Sequence, residues 1–304
     1  MADWTNATRF SGAGPRPSSV PADGRGALVH PHQLQRVLHR AVLPVIDPRL
    51  APYVEHFWSV AWQRHGEAPA TSEVITRPVC HLTFENGVAD DGGPLVRHGV
   101  TMPAAVVTTV WTRRFVVDLD GEGRAFGVGF RPGGLAALAG RELLADLTLP
   151  ADDVLPGAAA LLPRVLAEDD DAARHAVVEG WLVGLAAEPD PAYLDAVALI
   201  ERVWTDSSIV RVEQIGEVAG LSARSVQRMF RRYVGVGPKW VLVRARLRDA
   251  AARLDGEGEA SVSLADLAAE LGWADQSHLV RDFRRQLGTT PGRYARDARA
   301  APTT

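Results

Sequence analysis

The sequence predicts an α+β, multidomain chain: an N-terminal β-rich domain, barrel-like or α+β, then a helical linker, then a C-terminal all-α domain in which two helix, tight turn, helix units are joined by a long helix. Three observations carry this. The front half holds short strand-forming runs separated by turn signals, the back half repeats one helical unit, and charge is divided unevenly between them. At 304 residues, 46% hydrophobic and 23% charged, the chain is apolar enough to bury more than one core.

Residues 1–29 are polar and rich in Gly, Pro and Ser, and are expected to be a disordered lead. Residues 30–156 read as the β-rich sensing or regulatory domain, with strands expected at 56–62, 79–84, 104–111, 113–119 and 125–130. In the last run large and small residues alternate, so Phe126, Val128 and Phe130 share one face. Asn86-Gly87 and Asp120-Gly121 read as hairpin turns. Residues 157–191 form an Ala/Leu-rich helical linker, broken by Glu188-Pro189-Asp190-Pro191.

Residues 192–304 read as helical. A helix at 212–219, the turn Gly220-Leu221-Ser222 and a helix at 223–234 make the first unit, with Ser222 as N-cap. Val226, Met229, Phe230 and Tyr233 form its apolar face, and the opposite face carries Arg224, Gln227, Arg228, Arg231 and Arg232. A long helix at 238–254 buries Trp240, Val243, Leu247, Ala250, Ala251 and Leu254 and turns Arg244 and Arg248 outward, towards phosphates or water. A flexible loop follows at 255–259. Ser263 with Asp266 makes a capping box that opens the second unit, whose second helix runs from 276 to 286 and is buried through Leu279 and Phe283.

The formal net charge of -4 argues on average against a nucleic-acid binder, but residues 191–304 hold 17 Lys/Arg against 14 Asp/Glu, while the first 190 hold 16 against 23. Residues 223–248 contain eight cations, seven of them Arg, and no acid. A second cluster, Arg281, Arg284, Arg285, Arg293, Arg296 and Arg299, is broken only by Asp282 and Asp297. A solvated helix face would explain either cluster alone; two in matching contexts point to nucleic acid. The single cysteine, Cys80, excludes an intramolecular disulfide framework and a multi-cysteine metal site. With no apolar run near the roughly 18 residues a bilayer span needs, and no apolar signal core at the start, the chain is expected to be soluble, cytoplasmic and free of the membrane.

A helix-turn-helix works by seating its second helix in the major groove, and two units on one rigid helix could read grooves about one turn, ~34 Å, apart. Arg224, Gln227 and Arg228 of the first unit, and Gln276, Ser277, His278 and Arg281 of the second, are the candidates for base edges, since Arg pairs bidentately with guanine and Gln with adenine. Ser222, Arg231, Arg232, Arg244, Arg284 and Arg285 are the candidates for phosphates.

These residues resemble a known family. The run IGEVAGLSARSVQRMF at 215–230, Gly235-Val236-Gly237-Pro238, the Arg246-Leu247 helix, LAAELGWADQSHLVRDF at 267–283 and GTTPGRY at 288–294 look like the DNA-binding domain of AraC/XylS-type transcription regulators. The resemblance covers about a third of the chain and implies a sequence-specific regulator. Pro291 and Tyr294 would then close the second unit, and Gln276, Ser277 and Arg281 would meet bases or backbone. Gly216 stands where an alanine is usual, at a cost of up to about 1 kcal/mol, and Arg224 occupies a variable position, so the target site does not transfer. Leu50-Ala51-Pro52-Tyr53-Val54, Phe57-Trp58, His81-Leu82-Thr83-Phe84 and Gly127 to Gly134 resemble the β-rich domain of actinobacterial members. Expected partners are double-stranded DNA, a small-molecule effector and RNA polymerase, with the chain acting as a monomer or homodimer, without a cofactor or metal and without catalytic residues.

Trp58, Trp62, His81, Phe84, Trp111 and Arg131 are the candidates for an effector pocket, with Phe115 beside them, although aromatic residues in strands are core by default. The turn Phe130-Arg131-Pro132-Gly133-Gly134 reads as architecture ahead of an anion site. Cys80-His81 reads as packing ahead of thiol or metal chemistry, and His30-Pro31-His32 lacks a third metal ligand. His278 is read equally as a DNA contact or as a helix-packing residue. Two alternatives stand beside the regulator: a constitutive DNA-binding protein whose front domain is an interaction module, and a cysteine-based enzyme fused to a DNA-binding domain.

Overall fold

The computed structural model describes residues 27–28, 39–67, 70–256 and 263–300. The lead expected over 1–29, apart from residues 27–28, and the 30–32 motif lie outside the described residues, as do residues 257–259 of the expected loop. The front of the chain is β: β1 (Ala27–Leu28), β2 (His39–Leu43), β3 (Val54–Arg64), β4 (Ala70–Ile75), β5 (His81–Val88), β6 (Val96–Arg97), β7 (Val100–Thr101), β8 (Ala104–Thr108), β9 (Phe115–Leu119) and β10 (Gly121–Phe130). The short helix α1 (Gly134–Leu138) and β11 (Thr148–Pro150) follow. Six strands form an antiparallel sheet in the order β11-β8-β5-β10-β3-β2, three form a second in the order β1-β4-β9, and β6 pairs with β7.

Alternation splits the large sheet into two faces. Phe57, Leu82, Phe84, Phe126, Val128 and Phe130 are buried on one face in the main core, while His56, Trp58, Trp62, His81, Thr83 and Glu85 line a cavity on the other, which β9 borders from the second sheet. The large-small pattern of β10 follows from its neighbour. Gly123, Gly127 and Gly129 pair with Trp62, Trp58 and His56 of β3, and a Cβ at any of the three would run into those rings. The small residues thus seat the aromatic side chains of the cavity, and the large ones fill the core behind it.

Two expected hairpins are corrected. Asn86-Gly87 lies inside β5, where Gly87 pairs with Gly123, and the chain turns later, at 89–93. Asp120-Gly121 joins β9 to β10, which belong to different sheets. In both places long-range pairing overrides a local turn preference.

The helices are α2 (Leu162–Ala167), α3 (Asp171–Leu185), α4 (Pro191–Thr205), α5 (Val212–Ala219), α6 (Ala223–Val234), α7 (Pro238–Gly256), α8 (Leu264–Glu270), α9 (Gln276–Leu287) and α10 (Pro291–Ala300). Their starts are set locally: Asp170, Ser222, Ser263 and Asp275 each accept a hydrogen bond from the backbone N–H three residues on. One apolar cluster runs from the large sheet through α3, α4 and α6 into the first half of α7, at Val241, Leu242 and Ala245. A separate cluster joins the second half of α7, from Leu247 to Leu254, to Leu267, Leu279, Phe283 and Tyr294. The first helical unit therefore shares its core with the β domain, and the second has its own.

Tyrosines make the junction. Tyr53 stacks on Tyr193 at 5.6 Å between centroids, Tyr193 O–H donates to the Pro52 carbonyl at 2.6 Å, and Tyr233 of α6 lies against the Tyr193 ring.

Candidate nucleic-acid interface

α5, the turn through Gly220 and α6 form the first helix-turn-helix, and α8, the turn through Gly272 and α9 form the second. On α6 the apolar face at Val226, Phe230 and Tyr233 is buried, which leaves Arg224, Gln227, Arg228, Arg231 and Arg232 exposed. Ser222 caps α6 by accepting from Ser225 N–H at 3.2 Å and remains exposed. On α9 Leu279, Phe283 and Leu287 are buried, and Gln276, Ser277, Arg281, Arg284 and Arg285 are exposed. His278 is half-buried, with Nε2 3.4 Å from Asp282 Oδ2. Asp282 is itself buried: it accepts from Trp273 Nε1 at 3.0 Å and from Arg285 Nη2 at 2.5 Å. This carboxylate orients the turn residue Trp273 and steers His278 and Arg285 along the helix.

Arg244 is corrected. Expected at phosphate, it is 1% exposed, with Nε donating to the Thr76 carbonyl at 3.2 Å, Nη2 to Thr76 Oγ1 at 3.1 Å and Nη1 to Gln286 Oε1 at 3.0 Å. Arg248 is buried as well, paired with Asp249 at 2.6 Å and packed over Trp204. The expected outward face of α7 is covered because this helix lies between both helical units and the segment after β4, so the far side of its apolar stripe also meets protein. Thr76, the only described β-domain residue that receives these Arg244 bonds, also lines the cavity.

The cavity lies between the two sheets and has a volume of about 190 Å³. Trp58, Trp62, His81 and Trp111 border it, and so do Arg77, Glu85, Arg97, His98 and Phe115. Two expected pocket residues do not. Phe84 lies on the opposite face of β5, in the main core. Arg131 pairs with Glu201 of α4 at 2.7 Å, so its turn ties the β domain to the helices. Within the cavity His81 Nδ1 accepts from Trp58 Nε1 at 3.2 Å, which fixes a neutral ring. Burial, followed by His56 and Arg77 nearby, pushes the His81 pKa down to about 3. Cys80 is buried, and burial pushes its thiol up to about 12, so it holds no ready thiolate. Among the described residues no group of three or more His, Cys, Asp or Glu could hold a metal, and no helix is long and apolar enough to cross a membrane.

Sequence reasoning missed Arg97, Glu85, Thr76 and Gln286. Arg97 carried one signal: a lone cation next to Leu95 and Val96, in a segment too short to show a period. Thr76 and Gln286 gain their roles only through Arg244, far along the chain, and Glu85 gains its role through Arg97 on a later strand.

Residues 215–297 match a family described as a helix-turn-helix domain, and residues 45–148 match a domain of unknown function, DUF6597. An AraC-like transcription regulator of Streptomyces lividans is 34% identical over 138 residues, 44% of this chain and 41% of that protein. The chain thus spans about two fifths of that relative's length. The DNA-binding domain of AdpA, solved in complex with a target DNA, is 29% identical over 36% of this chain and 95% of its own, with a TM-score of 0.29. ToxT from Vibrio cholerae is 11% identical over 85% of this chain and 98% of its own, with a TM-score of 0.40.

Proposed function

We propose that this chain is an AraC-type helix-turn-helix regulator that binds specific sites on double-stranded DNA through α6 and α9, under the control of a small molecule held between its two sheets. The exposure of Arg224, Gln227 and Arg228 on the first turns of α6, matched by Gln276, Ser277 and Arg281 on α9, supports the first half and is the observation on which the reading rests. Arg231, Arg232 and Arg284 would then grip phosphates without reading sequence. Under this reading the chain acts in the cytoplasm on promoters, with RNA polymerase as its protein partner.

The control half draws on Thr76. This residue borders the cavity and accepts from Arg244, which also donates to Gln286 on α9, so a compound that displaces Thr76 acts on the second helical unit. The test is binding to fragments of the neighbouring promoter at two salt concentrations. Arg228→Ala is expected to lose about 1–3 kcal/mol at the preferred fragment and to relax the choice at one base pair. Equal binding of wild type and variant to every fragment would remove base reading from the proposal.

A further inference from the structure

The cavity holds an arginine whose hydrogen bonding is incomplete. The Arg97 side chain is 8% exposed, and its guanidinium lies 4.0 Å from the centre of the Trp62 ring. Nη1 donates to Glu85 Oε2 at 3.1 Å, and Glu85 Oε1 is taken by Thr83 Oγ1 at 2.7 Å. Nε and Nη2 of Arg97 are buried without a hydrogen-bond partner. These two atoms form one edge of the guanidinium plane, the fork that matches the two oxygens of a carboxylate. Donors buried in this way are rare unless something outside the chain completes them.

The rest of the lining favours the same kind of guest. Arg40 and Arg77 border the cavity together with Arg97, whereas Glu85 is the single carboxylate among its described lining residues. Arg77 is held by Glu55 at 2.5 Å. One wall is aromatic: Trp111 and Phe115 meet edge to face at 5.7 Å, and His98 stacks on Phe115 at 5.0 Å. The volume of about 190 Å³ suits a single ring, since an engineered apolar cavity of about 150 Å³ holds benzene.

We propose that this cavity binds a single-ring aromatic carboxylate, its oxygens on Nε and Nη2 of Arg97 and its ring against Trp62, Trp111 and Phe115. The inference rests on reading the cavity as a ligand site; it does not depend on DNA binding.

The test uses the full chain and two acid–amide pairs of matched shape, phenylacetate with phenylacetamide and cinnamate with cinnamamide, followed by calorimetric titration and thermal shift. At least one acid is expected to bind and raise Tm, with its amide weaker by roughly tenfold or more. Arg97→Gln is expected to abolish that preference. Because this variant strands Glu85, the Arg97→Gln, Glu85→Gln double variant is measured beside it: it is expected to keep the ligand-free Tm near wild type and still lose the acid. Acids and amides binding alike, or wild-type affinity for the acid in either variant, overturns the carboxylate assignment and leaves a ligand site of other chemistry. Failure of all four probes to bind overturns both the assignment and the single-ring reading of the cavity.

Discussion

Arg244 separates two accounts of the connecting helix, and Arg244→Met is the perturbation that distinguishes them. Methionine keeps most of the volume and removes the charge. In the structure it would take three donors away from the Thr76 carbonyl, Thr76 Oγ1 and Gln286 Oε1. Hydrogen bonds to a charged group contribute roughly 1.5–3 kcal/mol each, but they are not additive here, and relief of the buried charge offsets part of the loss. A net destabilisation of about 2–4 kcal/mol is expected, seen as a Tm lowered by roughly 5–15 °C. The second readout is salt dependence on non-specific duplex DNA. Each phosphate contact contributes about 0.9 to the slope of log K against log salt. Arg231→Met, at an exposed position on α6, should lower that slope by about this amount with little change in Tm. Arg244→Met should leave the slope unchanged. A reduced slope with an unaltered Tm would show that Arg244 reaches the nucleic acid after all, and the internal tie would be refuted.

Gly127→Ala places a methyl in the Trp58 ring, and overpacking of this kind costs about 1–3 kcal/mol; a Trp58→Ala background should relieve most of the loss, and strict additivity in the double-mutant cycle would count against the packing account. His81 is neutral in the fold with a pKa near 3 against an ordinary 6.5, so its contribution is complete above about pH 6.5 and is lost as pH falls from there towards 3. Urea unfolding at pH 8 and pH 5 should therefore show wild type losing about 1–2 kcal/mol more than His81→Asn, and parallel losses would place the imidazole in water. Gly216→Ala gains up to about 1 kcal/mol of helix propensity, but the added Cβ would lie 2.8 Å from the Leu221 carbonyl oxygen, so a net fall in Tm is expected, and a rise would mean that the turn yields freely.

Legibility followed the range of the interactions. The helices of both units were readable almost to the residue, because period and cap are local: Ser222, Ser263 and Asp275 each stop or start a helix with an atom three residues away. Gly216 shows the limit, since propensity alone marked it as a cost while the tight approach of Leu221 requires it. Strands β3, β5, β8, β9 and β10 were visible by composition, but their partners were not. Nothing near Gly87 announces Gly123, and β2, β4 and the β6–β7 pair left no alternation long enough to read. The cavity was half legible for the same reason. Trp58, Trp62 and Trp111 announce themselves by type, whereas sorting Phe84 from Thr83 requires knowing which face of β5 meets the second sheet.

Charge is the clearest case where counting and placement diverge. The run from 223 to 248 holds eight cations and no acid, which as a string reads as one basic stripe. Folding divides it. Arg224, Arg228, Arg231, Arg232 and Lys239 are exposed, while Arg244 and Arg248 are buried and Arg246 donates to the Gly272 and Val210 carbonyls at 2.7 and 2.6 Å. The division falls after the first turn of α7, because α6 packs along one stripe and the rest of α7 is enclosed by two units and the β domain. The cations available to a polyanion are therefore concentrated on the two second helices and are sparse on the helix between them. Binding strength should then depend on both units engaging at once, since the connector offers little beyond Lys239, and any change in how Arg244 holds α9 would reach affinity through geometry rather than through charge.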